Sequence, residues 1–339
     1  MFRLLPLLIL LLLTIHAAPA QEGRVHYPLP DSFVNCLRSA SVAGDTLLNW
    51  LNTLTGDSLV GAYTDPLSVN IDKDPDHEIL ALLGGSANYT HLGVIDRQEG
   101  QWVMIFLTPV SHHYESLSVQ VMNCPAPERL FYLKLLEQRG SGIFYDSWYG
   151  FRLIDGVVYP CLRVQNKAQI YGWGLFLNQE THSKFTCDND GIYVDCYYHF
   201  FPGAVFPNDL DWEGHPDMSF VRGKGSYRLD WNPISNSYQP VFDDKSLTET
   251  QWRATEEFGA DSLFVAGFGD QLDALEAEAS ARMKRIVRAY RAEVTARGTA
   301  EAPSGGLVEQ GQTASGLRFY GTAADKQKPR RKRSFKPSD

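Results

Sequence analysis

The sequence predicts a mainly β fold, built from antiparallel propeller-like repeats between a short helical N-terminal part and a C-terminal helix. Short aromatic and β-branched runs fill residues 58–245, and each run is bounded by Gly, Asn, Asp or Pro. Part of this region is repeated about 50 residues further along the chain, within the range of periods typical of repeat proteins. Helical apolar spacing occurs only near the two ends of the chain.

These patterns divide the chain into five segments. We predict a signal peptide at residues 1–20, a helical N-terminal segment at 21–57, a β-repeat domain at 58–245, a C-terminal helical segment at 246–297 and a disordered basic tail at 298–339.

The first segment has the layout of a secretory signal peptide. Arg3 precedes the apolar run 4–13, and Ala18-Pro19-Ala20 follows as a small-residue cleavage site. The apolar run is too short to cross a hydrocarbon core of about 30 Å as a helix. We therefore expect cleavage after Ala20, a secreted or periplasmic protein, and no transmembrane segment.

The helical segments follow from the spacing of apolar residues. Residues 32–54 have roughly helical spacing, which predicts one or two short helices. A longer helix is expected to begin with Asp270 as its N-cap, to continue through Val294 and to end at Gly298. The lysines and arginines between residues 326 and 336 predict a solvated tail, or one that contacts an anionic surface.

The internal repeat has six matches in register. Leu67-Ser68-Val69 recurs as Leu117-Ser118-Val119, and Pro75, Glu78 and Leu80 recur as Pro125, Glu128 and Leu130. Each copy then continues into a predicted hairpin. The first hairpin joins residues 92–95 to 102–105, and the second joins residues 149–153 to 157–159.

Two acidic segments have the spacing of calcium loops. Segment 70–78 places oxygen-bearing side chains at its first, third, fifth and ninth positions, and segment 209–217 does the same with a glycine at its sixth. Calcium takes about 6–8 oxygen ligands, which a tight loop supplies from alternate residues. Clustered carboxylates repel one another unless a cation lies between them. The alternative is an acidic surface turn without metal.

These two segments resemble the calcium loops of FG-GAP and VCBS-type repeats, the blades of integrin-like β-propellers. In that family the loop lies between adjacent strands of a blade and binds calcium structurally, while other surfaces carry recognition or catalysis. The resemblance implies a first ligand set of Asn70, Asp72, Asp74 and Glu78 with the backbone of Asp76. It implies a second set of Asp209, Asp211, Glu213 and Asp217 with the backbone of His215.

The sequence departs from the family pattern at three places. Pro75 stands where glycine is usual, and its ring fixes φ near −65°. The Phe-Gly-Gly-Ala-Pro consensus is absent, and Phe201-Pro202-Gly203-Ala204 only approaches it. The repeated copy carries Gln120, Met122 and Cys124 at the ligand positions, so we expect it to be metal-free.

The five cysteines suit an oxidising compartment, where disulfides persist. Cys187 and Cys196 flank the turn signal Asn189-Asp190-Gly191, which predicts a bridge across a hairpin. Cys124 with Cys161 is the second predicted pair. The odd count leaves at least one thiol either unpaired or in an intermolecular bridge, and Cys36 is the candidate.

The net charge and the absence of two serine-hydrolase motifs argue against two classes of function. The net charge of −9, on a chain whose tail is basic, argues against nucleic acid as a partner. The chain has neither a Gly-x-Ser-x-Gly elbow nor a Ser-x-x-Lys motif. The sequence thus predicts an exported non-catalytic binding or structural protein with calcium-stabilised β-repeats, whose partner is an extracytoplasmic protein or glycan. The alternatives are a secreted hydrolase acting on polysaccharide or protein, and an interaction protein that works through its basic tail.

Overall fold

The protein was analysed as a computed structural model. The residues it describes are 24–38, 48–50, 52–53, 66–72, 74–86, 89–111, 118–123, 129–140, 142–171, 177–188, 191–203, 218–257, 261–300, 308–312 and 318–321.

The first sheet has five antiparallel strands in the order β1-β5-β4-β3-β2. Its strands are β1 (Arg24–Leu29), β2 (Leu67–Val69), β3 (Glu78–Ser86), β4 (Tyr89–Gln98) and β5 (Gln101–Ser111). Strands β2 to β5 follow one another as a meander, and β1 adds to the free edge of β5.

The second sheet is an antiparallel meander of eight strands, in which neighbours along the chain are neighbours in space. Its strands are β6 (Gln120–Met122), β7 (Leu130–Gly140), β8 (Ile143–Ile154), β9 (Val157–Ile170), β10 (Leu177–Cys187), β11 (Ile192–Pro202), β12 (Val221–Asn232) and β13 (Ser237–Val241). The prediction of a mainly β fold is confirmed.

Alternation of side chains gives each face of the first sheet its own partner. Ile79, Ala81 and Leu83 of β3 pack with helix α1 (Asp31–Arg38), which contributes Phe33, Val34 and Leu37 to a shared cluster. Leu80 and Leu82 point the other way and pack in one cluster with Phe131, Leu133 and Phe151 of the second sheet. The core between the sheets therefore lies under β3 to β5 and β7 to β9.

Four consecutive helices cover the remaining part of the second sheet. They are α2 (Glu249–Glu256), α3 (Asp261–Gly267), α4 (Gly269–Glu278) and α5 (Ala281–Ala300). Phe264, Phe268 and Tyr290 from these helices pack against Phe200 and Phe220 from the β11–β12 region. Helix α2 begins with a capping box, in which Thr248 accepts from the Gln251 N–H and the Gln251 side chain accepts from the Thr248 N–H.

The C-terminal helical segment differs in detail from the prediction of one long helix. Asp270 lies inside α4, whose N-cap is Phe268. The chain leaves the helical conformation at Ala279, and the Ser280 hydroxyl then accepts from the Met283 N–H at 3.3 Å, which starts α5. Ser280 is the residue in the sequence that indicates the start of this separate helix. Helix α5 continues past Gly298 to Ala300.

Strands also occur in two segments for which no strand was expected. Residues Arg24–Leu29 form β1 within the predicted helical N-terminal segment, because they complete the edge of β5. In the predicted basic tail, β14 (Val308–Gln312) pairs with β15 (Arg318–Gly321). Among the described residues, no helix combines the length and apolarity needed to cross a membrane.

Both hairpins predicted from the repeat are present. Strand β4 pairs with β5 through Val94 and Phe106, and β8 pairs with β9 through Leu153 and Val158. Each sheet also has a short strand, β2 or β6, paired with the first long strand of its meander. The repeat therefore corresponds to similar strand orders in two separate sheets.

Candidate metal centre

The first acidic segment is the loop between β2 and β3. Val69 at the end of β2 pairs with Glu78 at the start of β3, so the two ends of the loop lie side by side. Asp72, Asp74 and Glu78 each direct one oxygen toward a common point, and these oxygens lie within 4.8 Å of one another. The spacing that predicted a ligand set is thus matched by convergence in space.

Two aspartate side chains shape the loop locally. The Asp74 N–H donates to Asp72 Oδ1 at 2.8 Å, and the Asp76 N–H donates to Asp74 Oδ1 at 2.8 Å. These are consecutive Asx turns, in which a carboxylate accepts from the backbone two residues further on. Each turn uses one oxygen of its carboxylate and holds that carboxylate on the inner side of the loop.

Pro75 fits this arrangement. The two Asx turns require the N–H groups of Asp74 and Asp76, and neither requires a donor at Pro75. Among the loop residues that the structure describes, none has a positive φ. A glycine at the sixth position is therefore not needed to close this loop, and the departure from the family pattern is compatible with the converging carboxylates.

The Asn70 side chain binds two backbone carbonyl groups of the loop. Its amide Nδ2 donates to the carbonyl oxygen of Asp76 at 3.1 Å and also to that of Asp74. The carbonyl of Asp76 is the backbone ligand that the family resemblance implies. The first, fifth and seventh positions of the loop are thus in direct contact.

Glu78 is the buried member of the cluster, with 0% of its surface exposed. Its Oε2 accepts from the Ile71 N–H at 2.6 Å, while its Oε1 is buried without a hydrogen-bond partner. Burial raises the pKa of Glu78 to about 7, against the lowering effect of the Ile71 N–H, and the negative charges of Asp72 and Asp96 raise it further. A buried acceptor without a partner costs about 1–3 kcal/mol, so this oxygen requires an explanation.

The loop also connects the two sheets. The Ile71 side chain is fully buried in the cluster shared by both sheets. The Ile71 carbonyl accepts from the Arg129 N–H at 3.0 Å, one residue before β7 begins. A change in the conformation of the loop would therefore be transmitted to the contact between the sheets.

The second predicted metal set, Asp209, Asp211, Glu213, His215 and Asp217, lies outside the described residues. Within the described part of the chain, Asp72, Asp74 and Glu78 form the group of carboxylates placed to hold a metal ion.

Both predicted disulfide pairs are wrong. The thiols of Cys161 and Cys196 are free and buried. The β10–β11 hairpin forms as predicted, but its register sets Cys187 opposite Ile192 and Cys196 opposite Ser183. The two cysteines are therefore separated by four residues along the hairpin, about 13 Å, beyond the limit of about 7 Å between bridged Cα atoms. Cys161 instead contacts the Gly150 carbonyl at 3.5 Å, and Cys124 lies outside the described residues.

Sequence reasoning missed a second charged cluster, between the second sheet and α2. Arg163 binds both oxygens of Glu137 at 3.0 Å and the hydroxyl of Tyr145 at 2.6 Å, and its Nη1 lies 3.6 Å from Glu256 Oε2. Burial raises the pKa of Glu256 to about 7, although Arg163 lowers it. These residues are too far apart in the chain for any local motif to connect them.

A pocket of about 620 Å³ lies on β10, β11 and β12. Strand register places Lys184, Asp195 and Ser226 in one cross-strand row. The next row on the same face of the sheet contains His182, Tyr197 and Lys224. Lys245 completes the lining. We name this pocket the β10–β12 cleft.

No protein-family model, curated protein or solved structure matches this chain.

Proposed function

We propose that this is an exported, non-catalytic binding or structural protein whose β-repeats are stabilised by calcium bound in the loop 70–78. The observation that supports the proposal most directly is the convergence of Asp72, Asp74 and Glu78 together with the unpartnered buried oxygen of Glu78. A cation at the point of convergence would bind that oxygen and would offset both the burial and the carboxylate repulsion that raise the pKa of Glu78.

The donor set fits calcium by its chemistry. All the candidate ligands are oxygens, from the carboxylates of Asp72, Asp74 and Glu78, the backbone carbonyl of Asp76 and the side chain of Asn70. Calcium binds carboxylate and carbonyl oxygens in loops of this kind, whereas zinc prefers nitrogen and sulfur. In this proposal the amide of Asn70 turns its oxygen toward the ion and releases the carbonyls that it now binds.

The role of the ion follows from the position of the loop. Because Ile71 is packed between the sheets and bonded to Arg129, an ion that fixes the loop also fixes the first sheet against the second. The ion would then act as a structural tie, as the family resemblance implies.

The propeller-like arrangement of the repeats is part of the same proposal. Its support is the shared strand order of the two copies, each a short strand followed by three long ones. The second loop, at residues 209–217, is proposed as a further calcium site on its sequence pattern alone.

A thermal melt of the full chain in calcium and in chelator tests the proposal. A ligand that binds only the folded state stabilises it by about 2.7 kcal/mol at a hundredfold excess over its Kd. We expect calcium to raise the Tm of the wild type by more than that of Asp72→Asn, in which a neutral amide replaces one carboxylate and only the contribution of the loop 209–217 is unaffected. Asp244→Asn is the matched control, since Asp244 lies in an exposed turn after β13 and should keep the full shift. An equal shift in the wild type and in Asp72→Asn would refute a site in this loop.

The hydrolase alternative requires an open pair of carboxylates. Glu137 and Glu256 are one pair of carboxylates that the fold brings together, but Arg163 forms an ion pair with each of them. These ion pairs favour a structural role for Glu137 and Glu256. Turnover of chromogenic glycosides or peptides that is lost in Glu137→Gln would reverse that conclusion.

A further inference from the structure

The β10–β12 cleft is positively charged on a protein that is negatively charged as a whole. The exposed residues Lys184, Lys224 and Lys245 line it, with His182 beside them. No carboxylate of the described residues lies within ion-pair distance of any of the three ammonium groups, although acidic residues outnumber basic ones in the whole chain. Unpaired cations gathered in one concavity favour an anionic ligand.

The spacing of the charges indicates what kind of anion fits. Lys184 on β10 and Lys224 on β12 lie on either side of β11, so their backbones are at least two strand spacings, or about 10 Å, apart. The two lysines lie in adjacent rows along the strands. Duplex nucleic acid carries a negative charge every ~1.7 Å of its axis, far denser than this pattern. A polymer with about one charge per sugar unit matches it better.

Tyr197 also favours a sugar as the ligand of the cleft. It is half-buried in the cleft, and the strand register places it between His182 and Lys224. An aromatic side chain presents an apolar face and a polar tip to a ligand, which suits a sugar ring. The cleft is open and lies on a regular sheet, so an extended chain can lie across the strands without any change of fold.

We propose that the β10–β12 cleft binds an anionic polysaccharide that carries uronate carboxylates. The inference deepens the proposed binding function by naming the ligand class, and it does not depend on the calcium loop. Lys184, Lys224 and Lys245 neutralise carboxylates along the chain, and Tyr197 contacts a sugar ring between them. Asp195, which is exposed in the row of Lys184, opposes the ligand and limits its affinity.

The basic tail cannot be the occupant, because like charges would repel. The lysines and arginines between residues 326 and 336 carry the same sign as the cleft. The ligand must therefore come from outside this part of the chain.

Isothermal titration of the full chain with an oligogalacturonate tests the proposal. The titration is run in chelator, so its outcome does not depend on calcium in the loop 70–78, while the calcium melt contains no sugar. The fully methyl-esterified oligogalacturonate is the matched ligand, with the same backbone and no charge. We expect the acid to bind, the ester to bind far more weakly, and added salt to weaken the binding of the acid.

The variants separate the cleft from general charge. Lys224→Gln and Lys184→Gln should each weaken binding about threefold to tenfold, and Asp195→Asn should tighten it. Arg285→Gln removes an exposed charge from α5, among the helices that cover the opposite face, and should change nothing. Unchanged melting curves would show that each variant is folded.

Three results would overturn the proposal: no binding of the acid, equal binding of acid and ester, or equal effects of Lys224→Gln and Arg285→Gln. Tighter binding of an oligothymidylate than of the oligogalacturonate would overturn the assignment to a polysaccharide.

Discussion

The backbone N–H of Arg129 donates to the carbonyl oxygen of Ile71 at 3.0 Å, across the junction of the two sheets. One partner belongs to the acidic loop of the first sheet and the other immediately precedes β7 of the second. The Ile71 side chain is buried in the core that both sheets share. The loop that gathers the carboxylates is thus also a structural joint.

Replacing Ile71 should be costly. Ile71→Ala removes a fully buried side chain at the junction and should lower the free energy of unfolding by about 2–5 kcal/mol, because a cavity forms between the sheets. Urea denaturation followed by tryptophan fluorescence measures the change. Ile234→Ala is the control, since Ile234 is 94% exposed and should change stability by less than about 0.5 kcal/mol. Equal effects of the two variants would contradict the buried position of Ile71.

Glu78→Gln should have opposite effects in chelator and in calcium. In chelator the variant should melt at or above the wild-type Tm, because it removes a buried charge and keeps an acceptor for the Ile71 N–H. In calcium the wild type should gain more stability than the variant, whose remaining gain would come from the loop 209–217. Glu278→Gln, at an exposed position in α4, should behave as the wild type does. A calcium shift in Glu78→Gln as large as that of the wild type would remove Glu78 from the ligand set.

The stability of the α2 contact should depend on pH through Glu256. Its pKa in the folded protein is about 7, above the ordinary value of 4.5, so between these values the folded state holds a proton that the unfolded state has released. Stability from this group is therefore full below about pH 4.5 and falls as the pH rises to about 7, by on the order of 3 kcal/mol.

Denaturation of Glu256→Gln at a series of pH values tests this sign. The variant should show a flatter fall in unfolding free energy over that window. Glu257→Gln is the neighbouring control, because Glu257 forms a surface pair with Arg253 at 2.8 Å and should leave the slope unchanged. An identical slope in Glu256→Gln and the wild type would show that this carboxyl is already ionised at low pH.

The buried thiols of Cys161 and Cys196 should resist alkylation in the native protein. Burial raises the pKa values of Cys161 and Cys196 to about 12, so neither thiolate forms near neutral pH. Iodoacetamide should label both only after denaturation without reductant, as read by mass spectrometry of the digest. Failure to label either residue in the denatured, unreduced protein would restore a disulfide at that position.

The sequence predicts well what depends on neighbours in the chain. The Asn189-Asp190-Gly191 turn signal identified the β10–β11 hairpin, and alternate carboxylates in segment 70–78 identified a loop whose oxygens converge. Both features are decided within about a dozen residues, where turn chemistry and spacing operate.

Strand register and contacts between distant residues could not be predicted from such local patterns. A shift of four residues in one hairpin was enough to separate Cys187 from Cys196. The contact of Arg163 with Glu256 depends on where α2 docks on the sheet. The β10–β12 cleft is assembled from three strands and Lys245, so no segment of the sequence contains its pattern of charge.

The helices that cover the second sheet follow all eight of its strands in the chain, so the sheet is synthesised before its cover. In the folded protein the ring centres of Phe200 and Phe264 lie 4.7 Å apart, and this contact cannot form until α3 has been synthesised. Phe220 likewise cannot contact Tyr290 until α5 has been synthesised. A nascent chain that has completed β12 therefore exposes an aromatic sheet face to water. A protein shortened before α3 would leave Phe200 and Phe220 without these partners, so the helices from α3 onward decide whether this face of the sheet is covered.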